Sequence, residues 1–95
     1  IQNSKIILFG CGDGMKYIMS LFDKKNIKFL IDNNSKLINT YYEKKRVYGS
    51  QIIKSLTKKD FIIISALNVK NIVQIKKQIK NINNNVNIIN FSNID

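Results

Sequence analysis

Gly10, Gly12 and Gly14 place three of the chain's four glycines within five residues, and this spacing is the part of the sequence that most directly suggests chemistry. A glycine turn lets backbone N–H groups approach a ligand closely, because no Cβ intervenes. Where the turn opens a helix, those groups point at whatever anion sits there. The turn Gly10–Cys11–Gly12–Asp13–Gly14–Met15 follows the apolar run Ile6–Ile7–Leu8–Phe9 and precedes apolar residues at helical spacing. It therefore reads as a phosphate cradle at a strand-to-helix junction. About 20 residues further on, Asp32 stands where a carboxylate binds a ribose diol in dinucleotide sites, with Asn33 beside it. Ser65, Ala66 and Asn68 follow a later apolar run and would line the opposite wall of the same crevice.

Each of these features also has a plain structural reading. Many glycine turns are merely tight connections. Counted as G-x-G-x-x-G from Gly10, the third glycine falls on Met15, and Gly14 comes one residue early. That third glycine normally lets helix and strand pack closely, so the dinucleotide fingerprint is incomplete. Asp13 would repel a phosphate unless its carboxylate points away or meets a sugar hydroxyl. Asp32 can instead cap a turn with Asn33 and Asn34. Cys11 sits where a helix dipole would activate a thiol, yet a nucleophilic cysteine needs a base and the chain has no His. A small buried side chain is its simpler role. The run Tyr41–Tyr42–Glu43–Lys44–Lys45–Arg46 either stacks on a base or forms a solvated loop. With no paired carboxylates, Ser/His/Asp set or metal-ligand cluster, the sequence offers binding groups and neither a catalytic set nor a metal site.

Sixteen basic against six acidic residues give a net charge of +10, which ordinarily raises nucleic acid as a partner. Fifteen of the sixteen are Lys, scattered between Lys5 and Lys80, and Arg46 alone offers the planar guanidinium that reads phosphates and bases by geometry. Joint enrichment in Ile, Asn and Lys is what codon bias in an AT-rich genome produces. Specific nucleic-acid binding is therefore not expected, and attraction of an anionic metabolite is. At 95 residues the chain, 1–95, is one domain. It begins at Ile1 and enters a strand pattern almost at once, which reads as a piece of a longer protein. No apolar run approaches the roughly 20 residues of a membrane span, and there is no signal-peptide pattern. The single Cys11 forms no internal disulfide. The expected setting is reducing and cytoplasmic.

These residues need elements to hold them. Residues 5–9, 27–31 and 61–64 are short apolar runs of the kind buried on both faces of a parallel sheet, and residues 86–91 alternate as a strand nearer an edge does. Met15, Ile18, Met19 and Phe22 recur at helical spacing, closed by Lys24–Lys25–Asn26 with cations near the helix's negative end. Asn68 caps a second helix, in which Val69, Ile72, Val73, Ile75, Ile79 and Ile82 form one apolar face while Lys70, Lys77 and Lys80 lie toward water. Between residues 36 and 46 the periodicity is poor. Val47–Tyr48 is a very short third strand stopped by Gly49, with Ser50 capping a short helix through Leu56. The order predicts an α/β fold: an open parallel sheet of four to five strands, 3-2-1-4-5, with helices on both faces. In such a sheet ligands bind beyond the carboxyl ends of the strands, where the order reverses.

The segments Lys5–Ile6–Ile7–Leu8–Phe9–Gly10–Cys11–Gly12, Phe29–Leu30–Ile31–Asp32–Asn33–Asn34, Arg46–Val47–Tyr48–Gly49 and Asp60–Phe61–Ile62–Ile63–Ile64–Ser65–Ala66 together resemble the Rossmann-like domain of bacterial surface-polysaccharide enzymes. That domain stands at the front of hexapeptide-repeat sugar acyltransferases and accompanies other enzymes that modify nucleotide-sugars. The resemblance covers roughly residues 5–91. It implies a Rossmann-like fold that helps hold a nucleotide-sugar such as a UDP-sugar, with Gly10, Gly12 and Gly14 near phosphate and Asp32 near the nucleoside. Asn33 replaces a frequent second acid, the glycine turn lacks the family's histidine, and the hexapeptide repeats that carry catalysis are missing from this sequence. A nucleotide-sugar-binding domain, not catalytic by itself, is therefore expected, with other domains of a parent sugar-modifying transferase and a second copy of the chain as partners. Gly10–Cys11–Gly12, Ile31–Asp32 and Tyr48–Gly49 are also similar to the regulatory domains of potassium-transport systems, which bind NAD or adenine nucleotides. A structural or docking module with a vestigial site is the third reading.

Overall fold

The computed structural model describes residues 6–10, 12–66 and 68–90. Four apolar runs become the centre of one sheet: β1 (Ile6–Phe9), β2 (Ile27–Ile31), β5 (Phe61–Ile64) and, outside them, β6 (Asn87–Asn90). β4 (Lys45–Tyr48) pairs with β2 and carries β3 (Tyr41–Tyr42) on its outer edge. The six strands run in the order β3-β4-β2-β1-β5-β6. All pairings are parallel except β3 with β4. This is a mostly parallel α/β sheet, and β3 is a strand beyond the four or five expected.

β3 was hidden because its turn carries no hairpin signal. Glu43 and Lys44 occupy the two turn positions at φ 51° and 67°, the backbone signs of a two-residue type I′ turn. Such turns usually announce themselves as Asn-Gly or Asp-Gly. The residues from Asn34 to Thr40 form consecutive turns, with Leu37 N–H donating to Asn34 C=O at 2.9 Å and Thr40 N–H to Leu37 C=O at 3.0 Å.

Alternation along β1 divides the core. Ile7 and Phe9 join Phe29, Ile31, Ile62 and Ile64 on one face, under α2 (Val69–Ile82) and a 3-10 helix (Ser50–Ser55). Ile6 and Leu8 join Ile27, Leu30, Val47 and Ile63 on the other, under Met15, Ile18 and Met19 of α1 (Asp13–Ser20). The register of β2 against β1 slips once, so that Ile6 faces Ile27 and Ile7 faces Phe29. Lys28 is the extra residue of this bulge. It lets two side chains on opposite faces flank a lysine whose ammonium lies 3.5 Å from Asp60.

Three local expectations need correction. α1 ends at Ser20, so Lys24 and Lys25 are not in its last turn; they form a separate 3-10 turn capped by the Asp23 carboxylate, which accepts from Lys25 N–H. Gly49, not Ser50, caps the 3-10 helix Ser50–Ser55. Val69 and Val73 are 68% and 46% exposed, because the buried stripe of α2 runs through Ile72 and Ile79 with Ile75 and Ile82 beside it. Among the described residues no helix is long and apolar enough to cross a membrane. Nor does any cluster of three His, Cys, Asp or Glu among them stand where it could hold a metal ion.

Candidate functional site

The carboxyl ends of β1, β2 and β5 are stitched together by the residues that the sequence marked. Gly10 has φ +111°, a conformation L residues rarely adopt, and its N–H donates to Ile31 C=O at 2.7 Å. A Cβ added to Gly10 would lie 2.8 Å from Ser65 Oγ and 4.0 Å from Ala66 N. The turn after β1 therefore touches the segment after β5 directly. Ser65 is 2% exposed. Its N–H donates to Phe9 C=O at 3.0 Å, and its hydroxyl lies 2.9 Å from Phe9 O and 2.8 Å from Gly10 O as donor to these carbonyls. One hydroxyl proton serves two acceptors, so Ser65 acts as a clasp under the site rather than as a group presented to a ligand.

Gly12 differs from Gly10. It is exposed, its φ of −91° is ordinary for any residue, and an added Cβ would meet nothing within 4 Å among the described residues. It is the N-cap of α1 and makes no side-chain cap. Asp13 and Gly14 begin the helix, where the first amides have no intrahelical acceptor. Met15 N–H is already bonded to Gly12 C=O at 3.0 Å, and its side chain is fully buried beneath the helix. Amides 12–14 have no backbone acceptor among the described residues and are the donors this turn can offer an anion, whereas Met15 is a core residue. Cys11 lies outside the described residues.

Asp32 follows β2. Its N–H donates to Tyr48 C=O at 3.0 Å and its Oδ1 accepts from Asn34 N–H at 2.7 Å, which holds the half-buried carboxylate in an Asx turn. Asn33 reaches across to α2, where its carboxamide and that of Gln78 exchange two hydrogen bonds of 2.9 Å each. A cavity of about 330 Å³ opens beside this pair, lined by Asn33, Ala66, Asn71, Gln74, Ile75 and Gln78. Asn68 caps α2: its Oδ1 accepts from Lys70 N–H at 2.9 Å and Asn71 N–H at 3.3 Å. Asn33 and Ala66 therefore share a cavity, Ser65 and Asn68 hold the scaffold beneath and beside it, and Gly10 joins the two sides.

Sequence reasoning missed Asn71, Gln74 and Gln78. Polar residues on a lysine-rich helix look like a solvated face, and only the pairing of Gln78 with Asn33 sets them apart. The run from Tyr41 to Arg46 lies elsewhere. Tyr41, Tyr42 and Glu43 line a separate cavity of about 700 Å³ against Lys16, Ser20 and Lys24 of the α1 side, sharing none of its described lining residues with the strand-end site. Lys24 Nζ and Glu43 Oε2 meet there at 2.8 Å, and this hydrogen-bonded charge holds the exposed Glu43 carboxyl below its ordinary pKa. Arg46 is engaged within the fold, stacked 4.8 Å over Tyr48 and donating to Asn39 Oδ1.

No curated protein matches the chain. The family model described as C2185-like, N-terminal, matches residues 2–89. That span includes every strand and helix whose ends build the crevice, and the chain belongs to the C2185-like N-terminal domain family.

Proposed function

We propose that this domain binds a nucleotide or nucleotide-sugar at the carboxyl ends of β1, β2 and β5, and performs no chemistry by itself. The observation that carries this reading is Gly12. Gly10 is glycine because φ +111° and Ser65 require it; Gly12 has neither reason, since its backbone is ordinary and a Cβ would stand in open space. A glycine at the exposed N-cap of a helix, in a chain with only four, suits the close approach of a phosphate. Asp32 would take the ribose hydroxyls, and the segment Ala66–Asn68 with Asn33 the base or sugar.

A UDP-sugar is the ligand favoured by the resemblance to surface-polysaccharide enzymes. Burial of Met15 favours it over NAD, because a bulky side chain fills the position where the dinucleotide fingerprint has its third glycine. The test is thermal unfolding with UDP-sugars, NAD and ATP. UDP-sugars should raise Tm, and Asp32→Asn, which keeps the acceptor for Asn34 N–H but loses the charge, should shrink that rise. A rise with NAD or ATP alone would point to the regulatory reading. Silence from every nucleotide, with self-association in solution, would leave a docking module.

A further inference from the structure

We propose that the 330 Å³ cavity between β2 and α2 is a nucleobase subsite, read by the side-chain carboxamides of Asn33, Asn71, Gln74 and Gln78. This rests on the nucleotide-binding reading and adds to it three residues that no motif marked. Among the described residues, four carboxamides and two aliphatic side chains, Ala66 and Ile75, make up the lining, with no ionisable group among them. Such a lining suits an uncharged occupant that presents donors and acceptors together, since each carboxamide supplies both. Ala66 and Ile75 give the ring faces apolar contact.

Position supports the base rather than another neutral group. Asn33 directly follows Asp32, the ribose acid of the proposed site, and a nucleoside's base is attached to that same ribose. Ala66 of the lining directly follows Ser65, whose hydroxyl donates to Gly10 C=O, so the cavity opens at the same strand ends as the turn that would hold phosphate. The pattern of hydrogen bonding supports it too. Asn33 and Gln78 already exchange a donor and an acceptor in two 2.9 Å bonds. A carboxamide makes the same two-point contact with a base edge, as with N6 and N7 of adenine, and the imide edge of uracil offers the same pair. A base can therefore replace one partner of the amide pair without leaving the other unsatisfied.

Charge placement on α2 gives a third line. At 3.6 residues per turn Asn71, Gln74, Ile75 and Gln78 form one stripe, with Lys76 and Lys80 opposite it and Lys70 and Lys77 along its Gln74 edge. In a chain with fifteen lysines, none of the described residues that line the cavity is a lysine.

Isothermal titration with AMP, UMP and ribose 5-phosphate tests the subsite. Either nucleotide should bind at least tenfold more tightly than the baseless ribose 5-phosphate. Gln78→Met and, separately, Gln74→Met should each weaken nucleotide binding by about tenfold, the effect of losing one or two hydrogen bonds to a ligand, and leave ribose 5-phosphate unchanged. Gln74→Met spares the Asn33 pair and so guards against a folding defect in the other variant. Nucleotides that bind no better than ribose 5-phosphate, or substitutions that leave nucleotide binding intact or weaken both ligands equally, overturn the subsite while the nucleotide-binding reading stands. If none of the three ligands binds, that reading fails and the subsite falls with it.

Discussion

Replacing Gly10 by alanine tests whether the strand-end clasp is built as described. At φ +111° an L residue is strained, by roughly 1–2 kcal/mol in the left-handed region, and the new Cβ would start 2.8 Å from Ser65 Oγ. Ser65 cannot swing away freely, because it is buried and its hydroxyl is held by two carbonyls of the preceding strand end. Overpacking of this kind adds about 1–3 kcal/mol. The sum is roughly 3 kcal/mol, which for a domain of this size lowers Tm by roughly 12–24 °C. Ser65→Ala alone should cost about 1 kcal/mol, one hydrogen bond, since Phe9 C=O keeps the Ser65 N–H. Ser65→Ala also removes the atom that the new Cβ would strike. The double variant should therefore be more stable than the two single losses predict, by about 1 kcal/mol or more, leaving the backbone strain and the lost hydrogen bond. Urea denaturation at constant m-value measures each corner of the cycle. Additivity within about 0.5 kcal/mol would refute the contact, and a Gly10→Ala loss below about 1 kcal/mol would refute the backbone strain as well.

Gly12→Ala should leave stability within about 0.5 kcal/mol of the native value, because the entropy gained by restricting the unfolded chain offsets the poorer N-cap; its ligand-induced Tm rise should nonetheless fall, and a large loss of stability would contradict the open space found around Gly12. Asn68→Ala should cost about 1 kcal/mol, or roughly 4–8 °C in Tm, through loss of the α2 cap, whereas Asn68→Asp keeps the acceptor and should lose much less. Lys24→Met should raise the titration midpoint of Glu43 toward the ordinary glutamate range, followed by NMR of its carboxyl carbon. Because the folded-state value is depressed, the ion pair's contribution is present above the ordinary glutamate pKa and is lost as pH falls through the lowered one; an unchanged midpoint would refute the pairing.

What the sequence displayed most clearly was whatever depended on runs and periods. Residues 61–64 and 27–31 are too apolar to lie anywhere but in a buried sheet, and the Ile72 and Ile79 spacing forces α2 onto it. Features set by backbone sign or by distant contacts were not legible. Glu43 and Lys44 adopt positive φ without a glycine, so β3 left no trace, and nothing local distinguishes Lys28 as a bulge residue. The Asn83 side chain closes the turn after α2, its Oδ1 accepting from Asn85 N–H at 3.0 Å, but nothing local shows that its Nδ2 also donates to Ile53 C=O at 3.0 Å and Leu56 C=O at 2.8 Å, tying the end of α2 to the 3-10 helix. The site divides the same way. Gly10, Asp32 and Ala66 could be placed because strand ends fix their positions, whereas Gln78 enters only through a partner 45 residues away.

Two glycines of the same turn point in different directions. Gly10 is fully accounted for by the fold, since any Cβ there would strain the backbone and crowd a buried hydroxyl, so it would persist in a domain that binds nothing. Gly12 is accounted for only as the N-cap of α1, a position that Ser, Asn or Asp fills at least as well. Ser65 follows the same logic as Gly10: a hydroxyl that looked like a ligand contact is satisfied by carbonyls at the end of β1, and its presence speaks for strand docking. Support for a ligand must therefore come from positions the fold leaves unexplained. Gly12, with room where a Cβ would stand, and the carboxamides that α2 contributes to the cavity are two such positions. Ser65, bonded to Gly10 C=O and followed by Ala66 of the cavity lining, connects the turn to the stripe. A domain whose glycine turn served only to connect β1 to α1 would need Gly10 and could dispense with both of the others.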